Sequence, residues 1–223
     1  MTLRRLLGIA LMMVFSGQPC TAQDPVRYVP IGDSYTAGTG VSPEQAWPVL
    51  LTQRLRAAGI DIEMIGNPAQ NGWTTVDALE KEMPLFRAAQ PGFATLMVGA
   101  NDLVQGADTK TFRKNFSRLL DAMLAAMPGK KRLVVITIPD FTCTLSGSRF
   151  TGGRDVGRVL GWFNRIIREE AGLRGLPVAD IYPVSRRMCK DYSYTAPDGL
   201  HPSIKGHYVF QEVIYAKASL VFP

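Results

Sequence analysis

The sequence has few of the His and Cys residues that bind metal ions in proteins, and it lacks the common phosphate-binding motifs. It contains only two histidines and three cysteines among 223 residues, and neither Cys143 nor Cys189 has another Cys or His at metal-binding spacing. The phosphate-binding patterns G-x-x-x-x-G-K-S/T and G-x-G-x-x-G are missing, which argues against a nucleotide site. A G-x-S-x-G nucleophile elbow is missing as well, which excludes an ordinary α/β-hydrolase. We therefore expect neither a metal ion nor a cofactor.

The chain has only a small excess of positive charge. Lys and Arg number 25 against 19 Asp and Glu, and the excess of 6 is scattered along the sequence. A nucleic-acid-binding protein more often concentrates such an excess in a basic stripe with aromatic residues between, so we expect no nucleic-acid partner. Hydrophobic residues make up 46% and charged residues 20%, which are ordinary values for a globular protein. The length fits one domain better than two.

Residues 1–22 have the three-part pattern of a secretory signal peptide. Arg4 and Arg5 give it a positive start, the ten residues at 6–15 form an apolar run, and Cys-Thr-Ala at 20–22 resembles a cleavage site. A helix needs about 20 apolar residues to span a bilayer, so this run is too short for an anchor, and no other stretch is long enough. We expect an exported protein, periplasmic or secreted, without stable membrane insertion.

Cleavage near Ala22 leaves residues 23–223, which we expect to form a single domain. A lipid anchor on Cys20 is a weaker alternative, because Gln18 and Pro19 match poorly the small residues that usually precede a lipidated cysteine. We therefore favour plain export.

Export also changes how the remaining cysteines are interpreted. Once Cys20 leaves with the signal peptide, Cys143 and Cys189 remain as a pair, and the usual fate of such a pair in an oxidising compartment is a disulfide bond. In the chain-entropy model, closing a loop of that length stabilises the fold by roughly 3–4 kcal/mol. Two unrelated buried thiols remain the alternative.

Short apolar or β-branched runs alternate with segments of helical period. The runs predict strands at 26–31, 60–66, 93–98, 132–138 and 177–181. The periodic segments predict helices at 46–58, 75–89, 111–126, 155–171 and 203–218. Strands alternating with helices of this length favour a parallel sheet covered on both faces. Right-handed crossovers then predict a three-layer α/β/α fold, a flavodoxin-like doubly wound sheet of about five parallel strands. The Gly- and Ser-rich segment at 142–153 is predicted to be a long loop.

Polar segments follow four of the predicted strands. The first strand is followed by GDSY at 32–35, the second by residues 67–74, the third by GAND at 99–102, and the fifth, after a longer excursion, by DGLH at 198–201. In an open parallel sheet, ligands bind beyond the carboxyl ends of the strands. The predicted topology therefore brings these four segments to one rim.

A nucleophilic serine needs a base that takes its proton and a third group that fixes the tautomer of the base. Ser34 in GDSY is the candidate nucleophile. Of the two histidines, only His201 has a carboxylate within a single turn, because Asp198 lies three residues before it. His207 falls in the last predicted helix without a comparable partner, and we interpret it as structural.

The oxyanion that develops during acyl transfer also needs hydrogen-bond donors fixed in advance. The backbone N–H groups of Ser34 and Gly72 and the side-chain amide of Asn101 are the candidates. Taken singly the motifs are weak, since a GDS tripeptide is usually a turn and an Asn before an Asp usually caps a helix. Four such coincidences in chain order, each at a strand end, are much harder to dismiss.

The four segments together resemble a known family. Their order, GDSY, N-x-x-x-x-G-x-T, GAND and DGLH, is similar to the four signature blocks of the SGNH, or GDSL, hydrolase superfamily. The resemblance covers 32–201 and implies a three-layer α/β/α fold and a serine esterase or lipase activity without a metal. It further implies a nucleophile at Ser34, an oxyanion hole at Ser34, Gly72 and Asn101, and a triad completed by Asp198 and His201.

Two positions depart from the pattern of the family. Tyr35 stands where the family commonly has Leu or Ile, and Pro68 is unusual in the second block. Neither position removes a catalytic group, so both bear on the shape of the pocket more than on the mechanism.

The expected substrate is a small-molecule ester with a short or medium acyl group, including thioesters and lysophospholipids. A carbohydrate O-deacetylase and a catalytically silent binding module that kept the fold are the alternatives. Phe141 and Phe150, with Trp73 and Tyr35 near them, either wall an acyl or aryl pocket or only cover the core. The sequence leaves the oligomeric state open.

Overall fold

The structure, a computed structural model, describes residues 24–129, 132–152 and 154–222. The predicted signal peptide and the alternative lipid anchor on Cys20 lie outside these residues. The strands are β1 Val26–Gly32, β2 Ile62–Met64, β3 Phe93–Met97, β4 Arg132–Ile136 and β5 Val178–Ala179. The α-helices are α1 Ser34–Ala37, α2 Trp47–Ala57, α3 Thr75–Asp77, α4 Met83–Ala89, α5 Ala100–Val104, α6 Thr109–Ala126, α7 Gly147–Thr151, α8 Gly157–Leu173, α9 Tyr182–Ser185 and α10 Ile204–Ala218. A π-helical turn at Ala78–Glu82 lies between α3 and α4, and 3-10 turns lie at Pro43–Gln45, Tyr192–Tyr194 and Ser219–Val221.

The strands form one parallel sheet in the order β2-β1-β3-β4-β5. This is the strand order of a flavodoxin-like doubly wound sheet, and it confirms the predicted fold class. Every residue of β3 is buried, as expected for a strand that is covered on both faces. The order reverses between β1 and β3, which pair with Gly32 opposite Met97 at their carboxyl ends. The crevice beyond this point is where such folds bind ligands.

Helices cover both faces of the sheet. α2 packs against α10, while α6 contacts both α4 and α8. On α6 the buried side chains Phe112, Phe116 and Leu119 recur at helical spacing. Phe112 stacks on Phe163 of α8, with the ring centroids 4.0 Å apart. Within the described ranges, no helix combines the length and the apolar character needed to cross a lipid bilayer.

The segment at 75–89, predicted as one uninterrupted helix, contains a π-helical turn instead. The backbone N–H of Met83 donates to the carbonyl oxygen of Ala78, five residues earlier. Pro84 follows at once, and because it lacks an N–H it makes no bond to a carbonyl four residues back. A π-turn takes up one more residue than an α-turn, and such turns are frequent at functional sites. The turn includes Glu82, whose side chain is completely buried.

Two other segments differ from the prediction. The long loop predicted at 142–153 contains the short helix α7, and β5 is shorter than the run at 177–181 from which it was predicted. Beyond β5 a side chain replaces strand pairing, because the hydroxyl of Thr137 accepts the backbone N–H of Ile181 at 3.0 Å. This bond ends the strand while keeping the chain against the end of β4.

Candidate active site

Ser34 occupies the turn at which the chain leaves β1 and enters α1. The side chain of Asp33 accepts the backbone N–H of Tyr35 at 3.1 Å and so caps this short helix. Gly32 is required at the end of the strand, since a Cβ atom there would collide with the side chain of Thr36 and the carbonyl oxygen of Met97. The turn therefore presents the Ser34 hydroxyl beyond the carboxyl end of β1.

The ring of His201 lies between Ser34 and Asp198. Its Nε2 is 2.8 Å from Ser34 Oγ, although the two residues are 167 positions apart. Its Nδ1 is 2.5 Å from Oδ2 of Asp198. The other carboxylate oxygen, Oδ1, accepts the backbone N–H groups of Leu200 at 2.9 Å and His201 at 3.0 Å. A proton on Nδ1 leaves Nε2 free to accept the hydroxyl proton of Ser34.

The surroundings of Asp198 keep its carboxylate charged. Partial burial raises the pKa, but the hydrogen bonds from the His201 ring and from the backbone of Leu200 and His201 outweigh burial and bring the pKa below its ordinary value. A carboxylate that remains ionised holds the imidazole in one tautomer and stabilises the imidazolium that forms when the ring takes a proton.

The candidate oxyanion donors share one cavity with the serine and the histidine. The cavity has a volume of about 270 Å³. Its walls come from the four segments at the strand ends and from the chain after β4, and its lining residues are Ser34, Tyr35, Asn71, Gly72, Ala100, Asn101, Val104, Phe141, Phe150, Leu200 and His201. The structure thus brings together the predicted nucleophile, the base and all three predicted oxyanion donors.

Hydrogen bonds hold the second and third segments against each other. Nδ2 of Asn101 donates to the carbonyl oxygen of Trp73 at 2.9 Å, and this amide carries a second hydrogen. Gly72 has φ of +81°, a conformation that favours glycine. The carboxylate of Asp102 accepts the backbone N–H of Thr75 at 2.9 Å and its hydroxyl at 2.5 Å. These bonds keep the predicted donors in place before a substrate arrives.

The aromatic residues predicted as pocket walls divide into two groups. Phe141, Phe150 and Tyr35 line the cavity, whereas Trp73 is not among its lining residues. The Tyr35 ring packs against the His201 ring, with the centroids 5.2 Å apart. Phe150 is 46% exposed and stands at the mouth as part of α7. The wall is therefore largely apolar next to Ser34 and His201.

A disulfide bond fixes the chain on this side of the cavity. It joins Cys143 to Cys189, whose Cα atoms are 5.2 Å apart. Three residues further on, the backbone N–H of Ser146 donates to the carbonyl oxygen of Gly199 at 2.8 Å. The segment that carries Phe150 is thus attached both to the chain after β5 and to the loop that carries Asp198.

His207 lies inside α10 and is fully buried. Its Nδ1 accepts the backbone N–H of Trp47 at 3.2 Å, which caps the first turn of α2. Burial is the main cause that lowers the pKa of His207 to about 4, and the nearby His201 adds to it. The ring acts as a neutral acceptor between two helices, in keeping with the structural role expected from the sequence.

Within the described residues, neither a metal centre nor a larger groove competes with this cavity as the site. In the part of the chain that the structure describes, no group of three or more His, Cys, Asp or Glu residues is arranged to hold a metal ion. A groove of about 670 Å³, larger than the cavity, is lined by Gly40, Pro197, Lys205 and their neighbours. It contains none of the predicted catalytic groups, so volume alone does not identify the site.

Glu82 lies beside the site but was not predicted from the sequence. Its Oε2 accepts the backbone N–H of Gly32 at 3.0 Å, directly below the turn that carries Ser34. A signal was present, because Ala78, Glu82 and Phe86 recur every four residues and therefore share the apolar face of a helix. An acid on such a face is buried only when it has a specific partner.

The chain is similar to known esterases. A model described as the GDSL-like Lipase/Acylhydrolase family matches residues 31–209. An arylesterase from Vibrio mimicus is 30% identical over 116 residues, which are 52% of this chain and 56% of that protein. Esterase TesA from Pseudomonas aeruginosa is 28% identical over 130 residues, which are 58% of this chain and 62% of that protein. The chain spans less than two thirds of the length of these relatives.

A solved structure extends the similarity to the whole fold. The lipase/acylhydrolase from Enterococcus faecalis superposes with a TM-score of 0.69 at 26% sequence identity, covering 86% of this chain and 94% of that one. The family model reaches from β1 into α10 and includes all four predicted segments. With this match over most of its length, the chain belongs to the GDSL-like lipase/acylhydrolase family.

Proposed function

We propose that the protein is an exported serine hydrolase that cleaves carboxylic esters with short or medium acyl groups through a covalent acyl-enzyme. Ser34 is the nucleophile, His201 the general base and acid, and Asp198 the group that orients the base. The observation that carries the proposal is the placement of the His201 ring, 2.8 Å from Ser34 Oγ and 2.5 Å from Asp198 Oδ2. This is the arrangement that an activated serine requires.

The first half of the reaction acylates the serine. Ser34 Oγ forms a bond to the ester carbonyl carbon while Nε2 of His201 takes the hydroxyl proton. The tetrahedral intermediate then collapses, and the bond to the leaving oxygen breaks. The imidazolium gives its proton to that oxygen, so the alcohol departs neutral and the base is regenerated.

The second half uses water along the same route. Nε2 of His201 takes a proton from a water molecule, whose oxygen bonds to the acyl carbon. When the second intermediate collapses, the bond between that carbon and Ser34 Oγ breaks and the serine takes the proton from His201. The carboxylic acid leaves, and Asp198 stays ionised throughout because it only stabilises the imidazolium.

The oxyanion of both intermediates rests on the backbone N–H groups of Ser34 and Gly72 and on the amide of Asn101. These groups line the same cavity as the nucleophile. Donors that are fixed in advance stabilise developing charge without reorganisation, and one such donor contributes about 100- to 1,000-fold in rate.

The proposed substrate class follows from the size and lining of the cavity. Its volume of about 270 Å³ is just below the usual range for ligand pockets, which begins at about 300 Å³. Phe141, Phe150 and Leu200 give it an apolar wall, which suits a short alkyl or aryl group better than a sugar. A carbohydrate O-acetylesterase remains the second candidate, and it would be distinguished by a preference for acetyl alone.

Export and the domain organisation complete the proposal. The pattern at 1–22 supports a signal peptide, and the disulfide between Cys143 and Cys189 supports an oxidising destination. Residues 23–223 then form one catalytic domain. No metal or cofactor takes part in the proposed steps.

A series of p-nitrophenyl esters from acetate to decanoate, hydrolysed by the purified protein and by Ser34→Ala, tests the proposal. We expect the Ser34→Ala variant to lose roughly 10,000-fold or more in kcat for every ester. A fluorophosphonate probe should label the protein once, and peptide mass spectrometry should place the label on Ser34. Ser219→Ala, a substitution outside the cavity lining, is the matched control and should keep full activity.

The same series separates the alternatives. A rate that peaks at butyrate to hexanoate supports the proposed pocket, whereas activity confined to acetate indicates a deacetylase. Full activity in Ser34→Ala, or labelling at another residue, would overturn the assignment of the nucleophile. No hydrolysis of any ester together with no labelling would indicate a binding module.

A further inference from the structure

A buried glutamate lies directly behind the nucleophile turn. Glu82 has no exposed surface, and its Oε2 accepts the backbone N–H of Gly32 at 3.0 Å. Gly32 ends β1 two positions before Ser34. The π-helical turn Ala78–Glu82 places this side chain there, because its extra residue shifts Glu82 relative to the α-helical register. The contact therefore joins the segment after β2 to the start of the catalytic turn.

The second oxygen of this carboxyl group has no partner. Oε1 of Glu82 and Oγ1 of Thr36 are both buried without a hydrogen bond among the residues that the structure describes. Thr36 borders the same glycine, since a Cβ atom at Gly32 would collide with its hydroxyl. An ionised carboxylate with an unsatisfied oxygen in such a place costs far more free energy than a neutral acid.

The charges that raise the pKa of the Glu82 carboxyl group are negative. They belong to Asp33, directly after β1, and to Asp77 of α3. The helices α4 and α6 also pack against the turn, but none of their charged side chains is among the influences on this pKa. Lys81 is adjacent in sequence but pairs with Asp77 at 2.6 Å. In the described parts of the chain, Glu82 forms no ion pair with a Lys or Arg.

Burial and these neighbours together favour the protonated acid. Burial has the largest effect on the pKa of Glu82 and raises it, and the charges of Asp33 and Asp77 raise it further. The hydrogen bond from the Gly32 N–H lowers the pKa, and the net result is a pKa of about 8. Burial likewise raises the pKa of Asp33 to about 7. At neutral pH Glu82 is thus mostly neutral, and a neutral carboxyl group still accepts a hydrogen bond through its carbonyl oxygen.

We propose that Glu82 is a positioning residue that acts through Gly32: as a neutral acid it holds the turn that carries Ser34, and its ionisation in alkaline solution slows the reaction. The negative charge that appears on ionisation lies behind the turn whose N–H supports the oxyanion, so it opposes the charge that develops there. This inference rests on the proposed function, because it assigns Glu82 to the same acyl transfer.

Two substitutions separate the hydrogen bond from the charge. Glu82→Gln keeps a carbonyl acceptor of the same length but has no proton to lose, and Glu82→Met keeps the volume but removes the acceptor. We expect Glu82→Gln to retain kcat at pH 7 within about twofold. Between pH 7 and pH 10 we expect kcat of the unaltered protein to fall roughly fivefold to tenfold, while its KM stays nearly constant. The kcat of Glu82→Gln should not show this fall. Glu82→Met should have a lower kcat at every pH.

Thermal unfolding provides a readout that does not need catalysis. A raised pKa means that the folded protein keeps a proton which the unfolded chain has released above its ordinary pKa of 4.5, so stability falls as the pH rises from there towards 8. Glu82→Gln lacks this loss. The Tm of Glu82→Gln minus that of the unaltered protein should therefore increase from pH 5 to pH 8.

The outcomes distinguish this inference from the proposed function. An alkaline loss in Glu82→Gln equal to that of the unaltered protein, or a Tm difference independent of pH, would overturn the role of Glu82 and leave the Ser34 nucleophile standing. Persistent activity in Ser34→Ala would overturn the nucleophile, while the Tm measurement still reports on Glu82. If Glu82→Met fails to fold, Glu82→Gln alone decides.

Discussion

The side-chain hydroxyl of Ser146 donates a hydrogen bond to the backbone carbonyl oxygen of Asp198 at 2.8 Å. Together with the bond from the Ser146 N–H to Gly199, it attaches the start of α7 to the loop that carries Asp198, the proposed triad acid. The disulfide attaches the same segment, three residues earlier at Cys143, to Cys189. A change in the pocket wall is therefore coupled mechanically to the position of Asp198.

Removing the disulfide should loosen this coupling. For Cys143→Ser/Cys189→Ser we expect the free energy of unfolding to fall by roughly 3–4 kcal/mol, since the bond closes a loop of 46 residues. Chemical denaturation with and without reductant measures the effect. The double variant with reductant added is the control, because it has no disulfide left to reduce. A variant as stable as the unaltered protein, or free thiols at both positions in the exported protein, would contradict the expectation.

Shortening Asn101 should affect turnover more than binding. Asn101→Ala is expected to lower kcat about 100- to 1,000-fold with little change in KM, because the lost donor acts on the oxyanion and not on the ground-state ester. Gln105→Ala, which removes an exposed donor to the Gly72 carbonyl, is the control and should change kcat much less. An unchanged kcat in Asn101→Ala would remove this amide from the oxyanion hole.

Phe150 should limit the length of the acyl group. Phe150→Ala enlarges the cavity mouth, so we expect kcat/KM to rise for octanoate and decanoate esters and to fall for acetate as apolar contact is lost. The p-nitrophenyl series measures both. Leu145→Ala alters an exposed side chain of the same segment that does not line the cavity, and its chain-length profile should match that of the unaltered protein.

Acid should destabilise the fold through His207. The pKa of His207 is lowered to about 4 in the folded protein from an ordinary 6.5. Between these pH values the unfolded chain binds a proton at His207 and the folded protein does not. The contribution of neutral His207 to the free energy of unfolding is fully present above pH 6.5. It falls by about 3 kcal/mol in all as the pH decreases towards 4. Thermal unfolding from pH 4 to pH 8 measures this loss. His207→Asn keeps an acceptor for Trp47 without titrating here, and an equally steep acid loss in that variant would assign the effect elsewhere.

The architecture and the cluster of reactive groups could be predicted because both follow from local patterns. Alternating runs predicted a parallel sheet, and the rule that ligands bind at the carboxyl ends of such strands selected Ser34, Gly72, Asn101 and His201 from a sequence with few histidines. The structure brings these four residues to a single cavity. No spacing in the sequence could have supplied the distances between them, which depend on tertiary packing.

Other features depend on backbone bonds that a residue pattern does not reveal. The π-turn at Ala78–Glu82 requires a hydrogen bond five residues back, and the surrounding sequence reads as an ordinary helix with one acid on its apolar face. Trp73 stands next to Gly72 in sequence, yet it is absent from the cavity lining. Its ring lies 5.4 Å from the ammonium of Lys81 in the π-turn instead.

The hydrogen bond from Ser34 to His201 joins the first strand to the approach of the last helix, across 167 positions. Biosynthesis runs from one of these partners towards the other. Under the proposed mechanism, a polypeptide that ends between Ser34 and DGLH has the hydroxyl but no imidazole to activate it, and we expect it to be inert towards esters. Esterase activity through this mechanism can therefore appear only after translation is nearly complete.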